Sequence, residues 1–133
     1  GMSFSLATPI GYEPAADIVA QAEALAAVAG GGLTITNDAR EAVDGAHVVY
    51  TDVWASMGKE HERAQRLADF APYQVNAGLF QHAAPDALFL HCLPAKRGEE
   101  VEDDVIESPR SAVFDQAENR LHVQKALLLM LLG

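Results

Sequence analysis

Short apolar runs alternate with helical stretches along this chain, and that alternation constrains the fold more than any single motif does. The runs are "SFSLATP" (3–9), "LTIT" (33–36), "HVVYT" (47–51), "ALFL" (87–90) and "SAVF" (111–114), each read as a strand. Between them the periodicity changes. Pro14 suits a first helical turn, and Ile18, Ala22, Leu25 and Ala29 recur at helical spacing until "GGG" (30–32) stops the segment. Asp38 with Glu41 spells a capping box for a short helix ending near Gly45. "KEHERAQRLADF" (59–70) reads as a charged surface helix, 76–83 as another short one, and "VEDDVIES" (101–108) as a helical turn or two. Asp115 with Glu118 is expected to cap the last helix. Strands alternating with helices imply right-handed βαβ units, hence an α/β fold. The expectation is a three-layer α/β/α sandwich around a mostly parallel, Rossmann-like sheet of about five strands. The third strand is apolar enough to be buried on both faces, as parallel strands are.

With 133 residues, the chain is one domain by length and can bury a core without staples. Half its residues are apolar and 21% are charged, which excludes a disordered chain. The net charge of −10, with no basic patch, argues against a nucleic-acid partner. A single cysteine cannot form an internal disulfide, and the opening "GMSFSLATPIGYEP" lacks the charged-then-apolar layout of a signal peptide, so the expected location is the cytoplasm. The longest apolar run, "ALLLMLL" (126–132), is too short to span a membrane.

Ligands of parallel α/β sheets sit beyond the carboxyl ends of the strands. Two polar loops leave those ends here: "DVWASMG" (52–58) after the third strand and "HCLPAKRG" (91–98) after the fourth. Asp52 could hold an ammonium group by a charge-assisted hydrogen bond. Ser56 offers a hydroxyl, Met57 continues the same loop, and Gly58 lets the backbone turn so that amide N–H groups can face an anion. A loop with Asp and Ser is also ordinary turn chemistry, and spacing alone leaves that reading open. Cys92 reads equally as a small buried hydrophobe or as part of a site. A His91–Cys92 dyad is geometrically poor, because adjacent residues on an extended segment point to opposite sides. The economical role is a polarizable wall, with backbone groups of Cys92 and Leu93 binding substrate.

Arg120 stands near the positive end of the last helix, where a cation opposes the macrodipole. That position fits either a phosphate- or carbonyl-binding role or an ion pair with Glu118 or Asp115. From Leu127 to Leu132 every residue is apolar, so this helix wants burial on all sides and something is expected to cover it. The five histidines show no metal spacing, and no dinucleotide fingerprint or phosphate loop appears. The triple glycine follows no strand and opens no helix, so it reads as a helix stop.

Taken together, "ATPIGYEP", "TDVWASMGKE", "FLHCLPAKRGEEV" and "SPRSAVFDQAENR" resemble the ornithine carbamoyltransferases, in the same order and over essentially the whole chain. The combination "DVWASMG", "HCLP" and "AENR" is highly specific. Aspartate carbamoyltransferases carry His-Pro-Leu-Pro where this chain has His91, Cys92, Leu93 and Pro94, and putrescine-type relatives lack the Ser-Met-Gly. A departure falls at "VNAGLF" (75–80), where Lys or Met often follows the Asn. The likeness is to the second, ornithine-binding domain. The family's carbamoyl-phosphate domain, with its Ser-Thr-Arg-Thr-Arg loop and His-Pro-x-Gln motif, has no counterpart in residues 1–133.

The resemblance implies transfer of a carbamoyl group from carbamoyl phosphate to the δ-amine of L-ornithine, giving L-citrulline and phosphate without metal or organic cofactor. It implies that Asp52 and Ser56 hold the ornithine α-amino group and that the Met57 backbone meets its carboxylate. Cys92 would lie against the δ-nitrogen and, with Leu93, bind the carbamoyl oxygen. Arg120 would stabilise charge on the carbamoyl and phosphate oxygens. It further implies partnership with the missing N-terminal domain, trimer-based homo-oligomers, and no turnover by residues 1–133 alone. The competing class is a non-catalytic amino-acid-binding or interaction module that pairs through the last helix.

Overall fold

A computed structural model describes residues 1–55, 58 and 60–133. Among them the chain runs β1 (Ser3–Ala7), α1 (Ala16–Ala29), β2 (Gly32–Thr36), α2 (Ala39–Val43), β3 (Val48–Thr51) and α3 (Arg63–Phe70). It continues through α4 (Ala77–Phe80), β4 (Leu88–His91), α5 (Asp103–Ile106) and α6 (Val113–Leu132). β1 pairs in parallel with β2, Ser3 opposite Gly32 through Ala7 opposite Thr36. β3 pairs in parallel with β4, Val48 opposite Leu88 through Thr51 opposite His91. The α/β class with parallel strands holds. The single sheet of about five strands does not, because the described strands form two separate parallel pairs.

The expected fifth strand is a correction. Only Ser111 pairs, in an isolated bridge to Phe89, whose N–H donates to Arg110 O and whose carbonyl accepts from Ala112 N–H. From Val113 the chain is helical, because Gln116 N–H already reaches Ala112 O and good helix formers follow. The Asp115–Glu118 cap is likewise absent. Ala112 is the N-cap and caps nothing with its side chain, while Asp115 lies inside the first turn, where a carboxylate suits the dipole. Asp38 does cap α2, accepting the N–H groups of Arg40 and Glu41. Its box is not closed as expected, because the Glu41 carboxylate takes the Thr36 hydroxyl, and Thr36 Oγ1 accepts Asp38 N–H. Gly30 ends α1 at φ 67°, a left-handed conformation that glycine adopts without a Cβ clash.

The core lies under β3 and β4, where Val49, Phe80, Phe89, Val101, Val105, Ile106 and Val113 are buried together. The Phe80 and Phe89 rings meet edge to face, 6.2 Å between centroids. Burial is one-sided. Val48 and Tyr50 remain about half exposed while Val49 is buried, so the expected double coverage of β3 is not met: no described element covers the second face. α1 buries no residue at all, and Leu127 to Leu132 of α6 are 52 to 83% exposed. No helix of the described residues is long and apolar enough to cross a membrane.

Candidate active site at the strand ends

The register of β3 against β4 builds the site. Thr51 faces His91, so the next residues, Asp52 and Cys92, leave the sheet side by side. The Cys92 thiol donates to Asp52 Oδ1 at 3.1 Å, and Val53 N–H donates to the same oxygen at 2.7 Å. Burial raises the thiol pKa, and the adjacent Asp52 carboxylate raises it further, against an opposing hydrogen bond from Tyr50. The sulfur is therefore a neutral thiol at neutral pH, polarizable and weakly nucleophilic.

The base of the Asp52 loop is held by aromatics. Trp54 stacks on Phe70 at 6.0 Å, and Phe70 also meets Tyr12 and Tyr73. Arg66 donates to Trp54 O at 3.2 Å and lies over the Tyr12 ring, whose hydroxyl donates to Asp69. Tyr73 in turn donates to Thr8 O and Asn37 O, joining the loops that follow β1 and β2. Four aromatic residues thus gather the strand ends around Asp52. Sequence reading passed over them. The available signal was that the chain's one Trp and Tyr12 both stand just beyond a strand. Ser56 and Met57, expected at this site, lie outside the described residues. Gly58 has φ +88°, the glycine-favoured turn expected of it.

The Cys92 loop is organised from beneath. The His91 side chain is completely buried. Its Nδ1 accepts Leu93 N–H at 2.9 Å and its Nε2 pairs with Glu100 Oε1 at 3.1 Å. Nδ1 must be unprotonated to accept, so Nε2 carries the hydrogen and donates to Glu100. The same Glu100 oxygen accepts Lys96 N–H at 2.5 Å. Leu93 sits at φ 55°, and the Leu93–Pro94 peptide is cis. One potential ligand atom from each of Asp52, His91 and Cys92 lies within 4.8 Å of the others, closer than strand alternation suggests. That trio has the chemistry of metal ligands, yet both imidazole nitrogens are engaged within the protein. Neither is open to a cation or to the Cys92 proton.

Arg120 lies two turns into α6, exposed, in a shallow groove of about 270 Å³ shared with Gln116, Asn119, Val123 and Gln124. It makes no hydrogen bond or ion pair with a described residue. Glu118, its candidate structural partner, pairs instead with His122 at 3.3 Å. One turn earlier, Gln116 ties α6 to the strand ends: its Oε1 accepts His91 N–H at 3.1 Å, and its Nε2 donates to the Tyr50 hydroxyl at 3.3 Å. The structure therefore brings Asp52 and Cys92 together directly, with Leu93 next to Cys92 in the chain and tied to His91. Arg120 is joined to them through its helix rather than by contact.

Residues 1–131 match the family model described as aspartate/ornithine carbamoyltransferase, Asp/Orn binding domain. The chain is 55% identical over 133 residues to an ornithine carbamoyltransferase of Thermococcus kodakarensis, covering all of this chain and 42% of that protein. Identity to the enzyme of Clavibacter sepedonicus is 58% over 132 residues, 99% of this chain and 43% of the relative. Among solved structures it resembles ornithine carbamoyltransferase from Pyrococcus furiosus with a TM-score of 0.90 at 56% identity, covering 96% of this chain and 41% of that one. The chain thus spans about two fifths of the length of these relatives.

Proposed function

This chain belongs to the aspartate/ornithine carbamoyltransferase family, and from that premise we propose that residues 1–133 are the ornithine-binding domain of an ornithine carbamoyltransferase. The proposed reaction passes the carbamoyl group of carbamoyl phosphate to the δ-amine of L-ornithine. The amine nitrogen bonds to the carbamoyl carbon, the bond from that carbon to the phosphate oxygen breaks, and the amine gives up a proton. The products are L-citrulline and phosphate.

In this reading Asp52 and Ser56 hold the α-ammonium of ornithine, and Met57 amide groups face its carboxylate. The observation that carries the reading is the Asp52–Cys92 pair, two groups from two loops held 3.1 Å apart at one end of a parallel strand pair. Asp52 supplies charge for an ammonium. The neutral thiol supplies a soft surface for an uncharged, attacking amine without competing as a nucleophile. The Arg120 guanidinium binds the carbamoyl oxygen and meets the charge that develops on it and on phosphate, while the Leu93 carbonyl, whose own N–H is given to His91, is left to accept from the carbamoyl amide. Most of the rate comes from holding amine and carbonyl together, and no covalent enzyme intermediate is needed.

The phosphate grip is assigned to the family's other domain. The apolar surface of α6 supports its docking there, since a helix exposed on this scale gains by burial. Assembly into trimer-based oligomers and action in the cytoplasm complete the proposal. The test is formation of the carbamoylated product by the full-length enzyme with ornithine, aspartate or putrescine as acceptor, read as citrulline, carbamoyl aspartate or carbamoyl putrescine respectively. Ornithine should be the preferred acceptor, and its advantage over putrescine should disappear in Asp52→Ala. Equal use of putrescine by the unmodified enzyme would overturn the assignment.

A further inference from the structure

The HCLP turn carries a buried pair that the reaction does not use. His91 and Glu100 are both fully buried, and among the described residues no Lys or Arg side chain is hydrogen-bonded to either. Glu100 Oε2 is buried and has no hydrogen-bond partner among the described residues, so all of the carboxylate's hydrogen bonding passes through Oε1. What the pair does is geometric. Glu100 Oε1 collects two donors, His91 Nε2–H and Lys96 N–H, and so closes the loop from 91 to 100 onto itself. Fixing the proton on Nε2 leaves Nδ1 as an acceptor, and Nδ1 holds Leu93 N–H. Leu93 is the one non-glycine residue at positive φ among those described, a conformation that costs a branched side chain energy and persists only where surroundings impose it. Its neighbour Cys92 is the residue whose thiol meets Asp52. The backbone N–H of the same His91 is anchored by Gln116, one turn from Arg120.

We propose that His91 is a positioning residue, with Glu100 selecting its tautomer so that Nδ1 clamps the Leu93 amide and sets the Cys92–Leu93 turn. This rests on the ornithine reading for its consequence in catalysis, but not for the clamp itself. Asn and Gln separate the two ends of the imidazole. An Asn oxygen falls near the Nδ1 position and can still accept Leu93 N–H. A Gln amide nitrogen falls near Nε2 and can donate only to Glu100.

The experiment has three readouts. In the full-length enzyme, His91→Asn should keep kcat within about threefold, whereas His91→Gln should lose tenfold or more, in keeping with the roughly hundredfold cost of a 1 Å misplacement. In the 133-residue chain, whose one cysteine makes the signal unambiguous, iodoacetamide should alkylate Cys92 faster in His91→Gln than in His91→Asn. Equal effects of the two variants on kcat and on alkylation would overturn the proposal. The third readout needs no substitution: nitrogen-15 shifts of His91 in the unmodified chain should show the Nε2–H tautomer, and a proton on Nδ1 would overturn it. Absence of citrulline formation by the unmodified full-length enzyme would instead defeat the ornithine reading, leaving alkylation and tautomer to judge the clamp.

Discussion

Cys92 Sγ and Asp52 Oδ1 lie 3.1 Å apart although 40 positions separate them in the chain. Strand register alone achieves this: pairing Thr51 with His91 leaves the next residue of each strand beside the other. The relationship gives both residues testable properties.

The thiol should titrate high. Burial and the Asp52 carboxylate both disfavour the thiolate, so the midpoint of Cys92 alkylation against pH should lie above that of a free thiol. Asp52→Asn removes the charge but not the burial, and the midpoint should fall part of the way back. Because the folded-state pKa is the raised one, the stability it contributes is complete below the ordinary thiol value. It is lost as pH rises through the folded value. A midpoint at or below that of a free thiol would contradict the geometry.

Asp52→Asn in the full-length enzyme should raise the KM for ornithine by about 10- to 100-fold, the equivalent of a charged hydrogen bond of roughly 1.5–3 kcal/mol. Steady-state kinetics at saturating carbamoyl phosphate give the measurement. An unchanged KM would remove Asp52 from the ammonium site.

Arg120 is exposed and engages no described residue, so its loss should cost activity and spare the fold. Arg120→Ala is expected to lower kcat by about 10²- to 10³-fold, the scale of deleting one oxyanion donor. Stability to urea should change by no more than about 0.5 kcal/mol. A large stability loss with little change in kcat would make it a structural residue.

Packing is one-sided, and substitutions should report it. Phe89→Ala removes a fully buried ring from the core and should destabilise the chain by about 3–5 kcal/mol in urea unfolding. Leu128→Glu, on the exposed part of α6, should change stability of the 133-residue chain by no more than about 0.5 kcal/mol. The same change should cost far more in the full-length enzyme if the other domain covers α6. Equal effects of Leu128→Glu in both contexts would argue against that coverage.

Much was legible from local pattern. The four strands and the polar loops leaving β3 and β4 follow from apolar run length and turn residues. Asp38 as a cap and Gly30 as a helix stop follow from side-chain and φ preferences that act within four residues. "SAVF" was misread because a short apolar run suits a strand or a helix start equally, and the helix formers after Asp115 decided it. "HVVYT" advertised burial on two faces, yet burial depends on what the rest of the structure brings over each face.

The amino-acid order by itself determined the alternating parallel α/β elements and put Asp52 and Cys92 at strand ends. It could not show that the aromatics Tyr12, Trp54, Phe70 and Tyr73 gather at the Asp52 loop, or that Arg120 stands apart while Gln116 grips His91. Nor could it show that His91 and Glu100 close the loop beneath Leu93. Those are relations between groups distant in sequence. Hydrogen-bond geometry over a few ångströms depends on strand register and helix docking, and only the folded chain supplies both.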